Sequence, residues 1–173
     1  MATNIFNDGH SDYQEVRQTA AKCMKRGIWS DRFEDRFVPF ATRQMKCDLP
    51  KEAIASISNG KHYISYRGLP MAKDPFDLIL YEMLLYELRP RTIIELGAYT
   101  GASALWMHDR METFGFPVEI VSVDIDLTLV DALALETSHV QFVQGDCNRI
   151  EDLFPAERLE QLPKPLLLID DAH

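Results

Sequence analysis

Apolar positions recur along this chain with two different periods, and the alternation between them predicts its architecture. Short β-prone runs stand at Thr92-Ile-Ile-Glu-Leu96, Val118-Glu-Ile-Val-Ser-Val123, Val140-Gln-Phe-Val143 and Pro165-Leu-Leu-Leu-Ile169. Between them, over 100–111, 127–136 and 149–162, apolar residues return every three or four positions, as one face of a helix requires. Four β/α units in succession predict an α/β fold, a Rossmann-like parallel sheet with flanking helices.

Ahead of the first run, Asp74-Pro75-Phe76-Asp77 has the grammar of a helix start. Asp74 can cap, Pro75 loses nothing at the first position, and Asp77 complements the helix dipole. Phe76, Ile79, Leu80, Met83 and Leu84 then make one face, expected to be core, until Arg89-Pro90 stops the run. Residues 13–58 mix charges with Trp29, Phe33, Phe37 and Phe40 and read as short helices and loops. The segment 61–70 sets Tyr63 and Tyr66 before a turn, where they cover either a core edge or a ligand. The expected division is a mainly helical N-terminal extension, 1–62, and a Rossmann-like domain, 63–173.

Composition narrows the function classes. With 46% hydrophobic and 26% charged residues, the 173-residue chain is an ordinary globular mixture with one sizeable core. A net charge of −9 without a long Lys/Arg cluster repels phosphate backbones, so nucleic acid is not an expected substrate. The longest apolar runs fall far short of the roughly 20 residues that cross a bilayer, and no membrane association is expected. The first twelve residues lack the apolar stretch of a secretory signal. Cys23, Cys47 and Cys147 have no metal-ligand spacing, which fits reduced thiols in the cytoplasm.

Candidate chemistry gathers at the strand ends, where ligands bind in open parallel sheets. Gly97 and Gly101 flank Ala98-Tyr99-Thr100, so the chain is expected to turn tightly there and offer backbone N–H groups to a ligand. Glu95 interrupts an apolar strand and needs a partner if buried, either a cationic ligand or a structural base such as Arg89 or Arg91. Asp124 closes the second run 27 residues after Gly97, where an acid can accept from both hydroxyls of a ribose. Asp126 competes for that role, the other of the two being a helix cap. Asp146, after the third run, could accept from an adenine amino group, and Asp170 ends the fourth.

With these residues the chain resembles the class I S-adenosylmethionine-dependent methyltransferases, whose acid-x-Gly-x-x-x-Gly turn matches Glu95-Leu-Gly97-Ala-Tyr-Thr-Gly101. Within them it is most similar to the cephalosporin hydroxylase group of small-molecule O-methyltransferases. Pro75-Phe-Asp77, Arg89-Pro90, Ile94-Glu-Leu-Gly97 and Gly101-Ala-Ser-Ala-Leu105 carry the likeness, which spans about 63–173. The resemblance implies O-methylation of a hydroxyl on a secondary metabolite or sugar, with S-adenosylmethionine as cofactor. It also implies that Gly97 and its turn hold the methionine part, with Glu95, Ala98, Tyr99, Gly101 and Ser103 among the cofactor-binding residues. Asp124 or Asp126 would meet the ribose, and Asp146 with Cys147 the adenine edge. The segment Leu167-Leu-Ile-Asp-Asp-Ala-His173 is similar to the fourth-strand motif. By that likeness Asp170 and Asp171 are magnesium ligands, Asp170 also touches the cofactor, and Asp170 and His173 are catalytic. Ala172 stands where relatives usually have an acid.

The same resemblance implies some three strands beyond the fourth, so the chain is expected to be an incomplete half of that fold. An exposed edge strand would favour a homo-oligomer or completion by another chain. Two rival readings stand beside the enzyme: a relative that binds cofactor or a partner without catalysis, and an NAD(P)-dependent oxidoreductase. The latter's G-x-G-x-x-G turn needs glycine where Tyr99 stands. Tyr63, Tyr66, Trp106 and Met107 are candidates to line an acceptor pocket, with simple packing as the plainer alternative.

Overall fold

The computed structural model describes residues 14–18, 21, 39–42 and 49–172. Cys23, Trp29, Phe33, Phe37, Cys47 and His173 lie outside them. The chain divides into two compact units, Met1–Cys47 and Asp48–His173. In the first, residues 14–18 are helical and Phe40–Thr42 form one 3-10 turn.

The second unit opens with helix α1 (Lys51–Gly60), a 3-10 turn (Lys61–Tyr63) and a small hairpin of β1 (Ser65–Tyr66) and β2 (Leu69–Pro70). Helix α2 (Pro75–Leu88) starts as its sequence predicts. The Asp74 carboxylate accepts from the N–H groups of Phe76 at 2.8 Å and Asp77 at 3.0 Å. The helix ends at Arg89, in the left-handed region, whose N–H donates to Leu85 O at 3.0 Å.

The orientation of α2 corrects an expectation. Leu78, Tyr81 and Leu85 meet the core, whereas Phe76, Ile79 and Leu80 are 56%, 62% and 53% exposed. The helix is apolar around much of its circumference, so a spacing of three and four is satisfied on more than one face. Packing against the neighbouring helix, not the period, selects Leu85, which is fully buried.

The sheet comprises β3 (Thr92–Leu96), β4 (Glu119–Asp124), β5 (Val140–Gln144) and β6 (Leu166–Asp170), each within one residue of its predicted run. All pairs are parallel and the spatial order is β5-β4-β3-β6. Leu96 lies opposite both Val123 and Asp170, and Asp124 opposite Gln144, so the carboxyl ends form one row. Alternate residues serve opposite faces. Ile93, Ile120 and Ile169 pack with Leu105 and Met111 of helix α3 (Ala102–Phe114). Ile94, Leu96, Val121 and Val123 pack with Phe154 on the other face. The chain runs outward from β3 to β5 and then returns to the far side of β3, which creates a switch point between β3 and β6.

Two predicted helices are broken. The 127–136 segment becomes a 3-10 turn (Leu127–Leu129) and α4 (Ala132–Leu135), because Asp131 caps afresh, accepting from Leu133 N–H at 2.9 Å. The 149–162 segment splits into α5 (Ile150–Leu153) and α6 (Ala156–Gln161). Pro155 lacks an N–H and disfavours helical backbone at Phe154, which sits at φ −128°, ψ 70°. No helix among the described residues is long and apolar enough to cross a membrane.

Candidate functional site

A cleft of about 710 Å³ opens along the carboxyl ends of the strands. Gly97 and Tyr99 reach it from the turn after β3, and Asp124 from the end of β4. Asp146 and Cys147 follow β5, and Asp170 and Asp171 close β6. Ser103, in the first turn of α3, completes the predicted residues on the lining. Glu95, Ala98, Gly101 and Asp126 are not on it, and their surroundings explain why.

The glycine turn packs against its own chain. A Cβ on Gly97 would lie 2.7 Å from the backbone oxygen of Asp171, and one on Gly101 would lie 2.7 Å from Ala134 Cβ and 2.9 Å from Phe142 Cζ. Both glycines also sit at positive φ, 96° and 81°. Close approach and backbone conformation therefore both demand glycine, and the approaching groups are the end of β6 and the α4–β5 layer. The non-glycine residues Tyr99 and Ala72, at φ 48° and 54°, also border the cleft. Such left-handed backbone is uncommon outside glycine and clusters at ligand sites.

Of the expected row of free turn amides from Gly97 to Gly101, all but that of Thr100 are already engaged. Ala98 and Tyr99 donate their N–H groups to Asp124 Oδ2 at 2.8 Å and 3.0 Å. Gly97 N–H donates to Val123 O, and Gly101 N–H to Ala98 O, each at 2.8 Å. Parallel pairing of β3 with β4 brings Asp124 beside the turn and makes it a clamp. Its Oδ1 accepts from Asp126 N–H at 3.2 Å, which leaves lone pairs on a carboxylate that borders the cleft. Asp126 itself caps the following 3-10 turn through Thr128 N–H at 2.9 Å, and hydrogen bonding from Thr128 holds its carboxyl below the usual range. Asp146 accepts from Asn148 N–H at 2.9 Å. Burial pushes the Cys147 thiol up.

Beneath the turn lies a different environment. Glu95 is fully buried; Ser122 Oγ donates to its Oε2 at 2.6 Å and Ser103 Oγ donates to its Oε1. Burial raises the Glu95 pKa, against the opposing pull of the two hydroxyls and of Lys73. Neither Arg89 nor Arg91 is its partner; the cation acting on it is Lys73, a residue that no local pattern marks. The buried Lys73 ammonium donates to Asp171 Oδ2 and lies 5.5 Å over the Tyr81 ring. Burial alone would lower the Lys73 pKa, but the hydrogen bond and charge of Asp171, helped by Glu95, raise it. A cavity of about 10 Å³, room for one water, lies among Lys73, Tyr81, Glu95, Ser103 and Trp106. Ser122 was a readable signal, a hydroxyl within an apolar strand.

The fourth-strand acids differ in availability. Asp170 is exposed on the cleft and its carboxylate has no hydrogen-bond partner among the described residues, whereas that of Asp171 is taken by Lys73. None of the four residues considered for an acceptor pocket borders the large cleft. Tyr63 is 91% exposed, the Tyr66 hydroxyl donates to Asp109 at 2.5 Å, and Trp106 and Met107 line the small cavity. Lys61, His62, Met71 and Ala72 border the cleft instead.

Comparison with known proteins places this geometry in a family. The family model described as Rhamnosyl O-methyltransferase/CmcI matches residues 59–173. Rhamnosyl O-methyltransferases of Mycobacterium bovis and Mycobacterium tuberculosis are 28% identical over 136 residues, covering 72% of this chain and 54% of theirs. The chain thus spans about half the length of these curated relatives. A cmcI structure with Mg-SAM is similar with a TM-score of 0.58 at 31% identity, covering 82% of this chain and 57% of that one. A cmcI structure with SAH has a TM-score of 0.56 at 31% identity, covering 79% and 64%. On this match over residues 59–173, the chain belongs to the Rhamnosyl O-methyltransferase/CmcI family.

Proposed function

We propose that the cleft binds S-adenosylmethionine and that the protein O-methylates a hydroxyl on a small molecule, a sugar or secondary metabolite. The observation that carries this reading is convergence: Gly97, Asp124, Asp146 with Cys147, and Asp170 come from four strand ends onto one cleft. Its size falls within the roughly 300–1,000 Å³ usual for small-molecule sites. The names of the mycobacterial relatives and of the cmcI structures with Mg-SAM and SAH support the same chemistry.

In this reading Asp124 spends one oxygen on the turn and offers remaining acceptor capacity to the ribose, while Asp146 and Cys147 meet the adenine edge. Glu95, Ala98, Gly101 and Asp126 support the site from outside the cleft, and Ser103 ties the buried Glu95 to its lining. The donor set fits a magnesium ion held by Asp170 and water, since magnesium keeps much of its hydration, with Asp171 committed to Lys73. Such an ion, when bound, lowers the pKa of a hydroxyl beside it. The chain's own share is to hold the methyl donor at a fixed place and to orient the acceptor for in-line transfer. Asp170 and His173 as proton acceptors rest on the fourth-strand motif.

The family match from residue 59 supports a cofactor-binding domain over 63–173 with 1–62 as an extension. Self-association is supported by the exposed Phe76–Ile79–Leu80 stripe, and native mass is its check. The free Cys147 accords with a cytoplasmic setting. Tyr99 in the turn, at φ 48°, disfavours the dinucleotide alternative. Calorimetric titration with S-adenosylmethionine and with NADH tests the reading: saturable binding of the first alone is expected. A folded protein that binds NADH and not S-adenosylmethionine would overturn it, and binding without methyl transfer to sugar acceptors would leave a cofactor-binding relative.

A further inference from the structure

We infer that Lys61 and His62 form the anion-holding end of the cleft and receive the carboxylate of the cofactor's methionine part. The inference rests on the proposal that the cleft binds S-adenosylmethionine. That molecule carries a sulfonium, an ammonium and a carboxylate, so one end of its site must supply N–H donors or positive charge to the carboxylate. The cleft is otherwise lined by the wrong charge: Asp124, Asp146, Asp170 and Asp171 are all acids. Among the described residues, Lys61 and His62 are the only basic side chains on its lining.

The ordinary alternative, backbone N–H groups of a glycine turn, is mostly committed elsewhere here, with Thr100 N–H the exception within the turn. The amides of Gly97, Ala98, Tyr99 and Gly101 already donate to Val123 O, Asp124 Oδ2 and Ala98 O. At the start of α3, Ala102 N–H is taken by Thr100 Oγ1 at 3.3 Å. Lys73, a buried cation near the strand ends, is held by Asp171 and lines the separate small cavity.

The Lys61–His62 segment is also fastened to the glycine turn. Met71 N–H donates to Ile64 O at 2.9 Å, which ties the 3-10 turn to the end of β2. Thr100 Oγ1 donates to Pro70 O at 2.6 Å, which ties that end of β2 to the turn after β3. Two hydrogen bonds therefore set the register between the basic pair and the loop bordering the proposed cofactor. A carboxylate between them gains charge-assisted hydrogen bonds, stronger than neutral ones.

The test compares S-adenosylhomocysteine with 5′-methylthioadenosine, which keeps the adenosine and thioether but lacks the amino-acid carboxylate. Lys61→Met, His62→Gln and the double variant are titrated with both ligands, with circular dichroism and melting curves to show that each is folded. The double variant is expected to lose about ten- to a hundredfold in affinity for S-adenosylhomocysteine. Its affinity for 5′-methylthioadenosine should remain within about twofold of native. Undiminished S-adenosylhomocysteine binding, or an equal loss for both ligands, overturns the inference while leaving the cofactor reading standing. A native protein that binds neither ligand removes both.

Discussion

Glu95 and Asp124 stand at the ends of adjacent strands, and the protein uses these two acids in opposite ways. Glu95 lies below the glycine turn, without solvent exposure, its two oxygens each met by a serine hydroxyl. Asp124 lies at the cleft, half-buried, and takes two backbone N–H groups on one oxygen. The first is a buried strut whose ionised form is penalised by desolvation. The second clamps the same turn from outside and keeps acceptor capacity at the cleft. Identical functional groups on neighbouring strands thus take different roles because one side chain faces the α3 layer and the other reaches the loop row.

The largest expected effect falls on the residue between these two regions. Gly97→Ala should lower stability by about 3 kcal/mol, from a disfavoured backbone and a Cβ forced against the β6 end; an unchanged urea midpoint would show that the turn is looser than its packing indicates. Ser122→Ala comes next, at about 2 kcal/mol, because it strips a buried carboxylate of one donor. Equal losses for Ser122→Ala and for an exposed serine such as Ser138→Ala would erase the distinction between strut and clamp.

A pH series sharpens the comparison further. The folded-state pKa of Glu95 is raised, so its contribution to stability is full below its ordinary value of 4.5 and is lost as pH rises through the folded value. The stability of native protein relative to Glu95→Gln should therefore fall as pH climbs from 4.5, as melting temperatures of both would record. A difference that grows with pH would mean that Glu95 is stabilised in its ionised form. Asp124→Asn should cost only about 1 kcal/mol in stability, since a neutral oxygen can still accept from the turn. Its affinity for S-adenosylhomocysteine should drop about tenfold, worth roughly 1.4 kcal/mol. The smallest effect lies outside both regions: Ile79→Ser, on the exposed stripe of α2, should change stability by no more than about 0.5 kcal/mol.

Much of the frame was legible before the structure. The four strands and the Asp74 cap follow from period and capping chemistry, which act over a few neighbouring residues. The acids at the strand ends were equally visible, and Asp124, Asp146 and Asp170 do border one cleft. The face of α2 was misread because Leu78, Tyr81 and Leu85 satisfy a helical spacing as well as Phe76, Ile79 and Leu80 do. Lys73 escaped notice because its partner, Asp171, is 98 residues away. The engaged amides escaped it too, since only the pairing of β3 with β4 brings Asp124 alongside them.

The sequence alone determined where the four strands and the Asp74-capped helix begin, that the sheet is parallel, and which residue types gather at its carboxyl edge, because backbone propensity, capping and side-chain alternation are short-range. Tertiary structure alone decided the order β5-β4-β3-β6, the burial of Glu95 between two serines, the capture of Asp171 by Lys73 and the placing of Lys61 and His62 on the cleft. Those outcomes depend on which surfaces are brought together across the chain, and a one-dimensional pattern shows that a residue has two possible faces without saying what will lie against either.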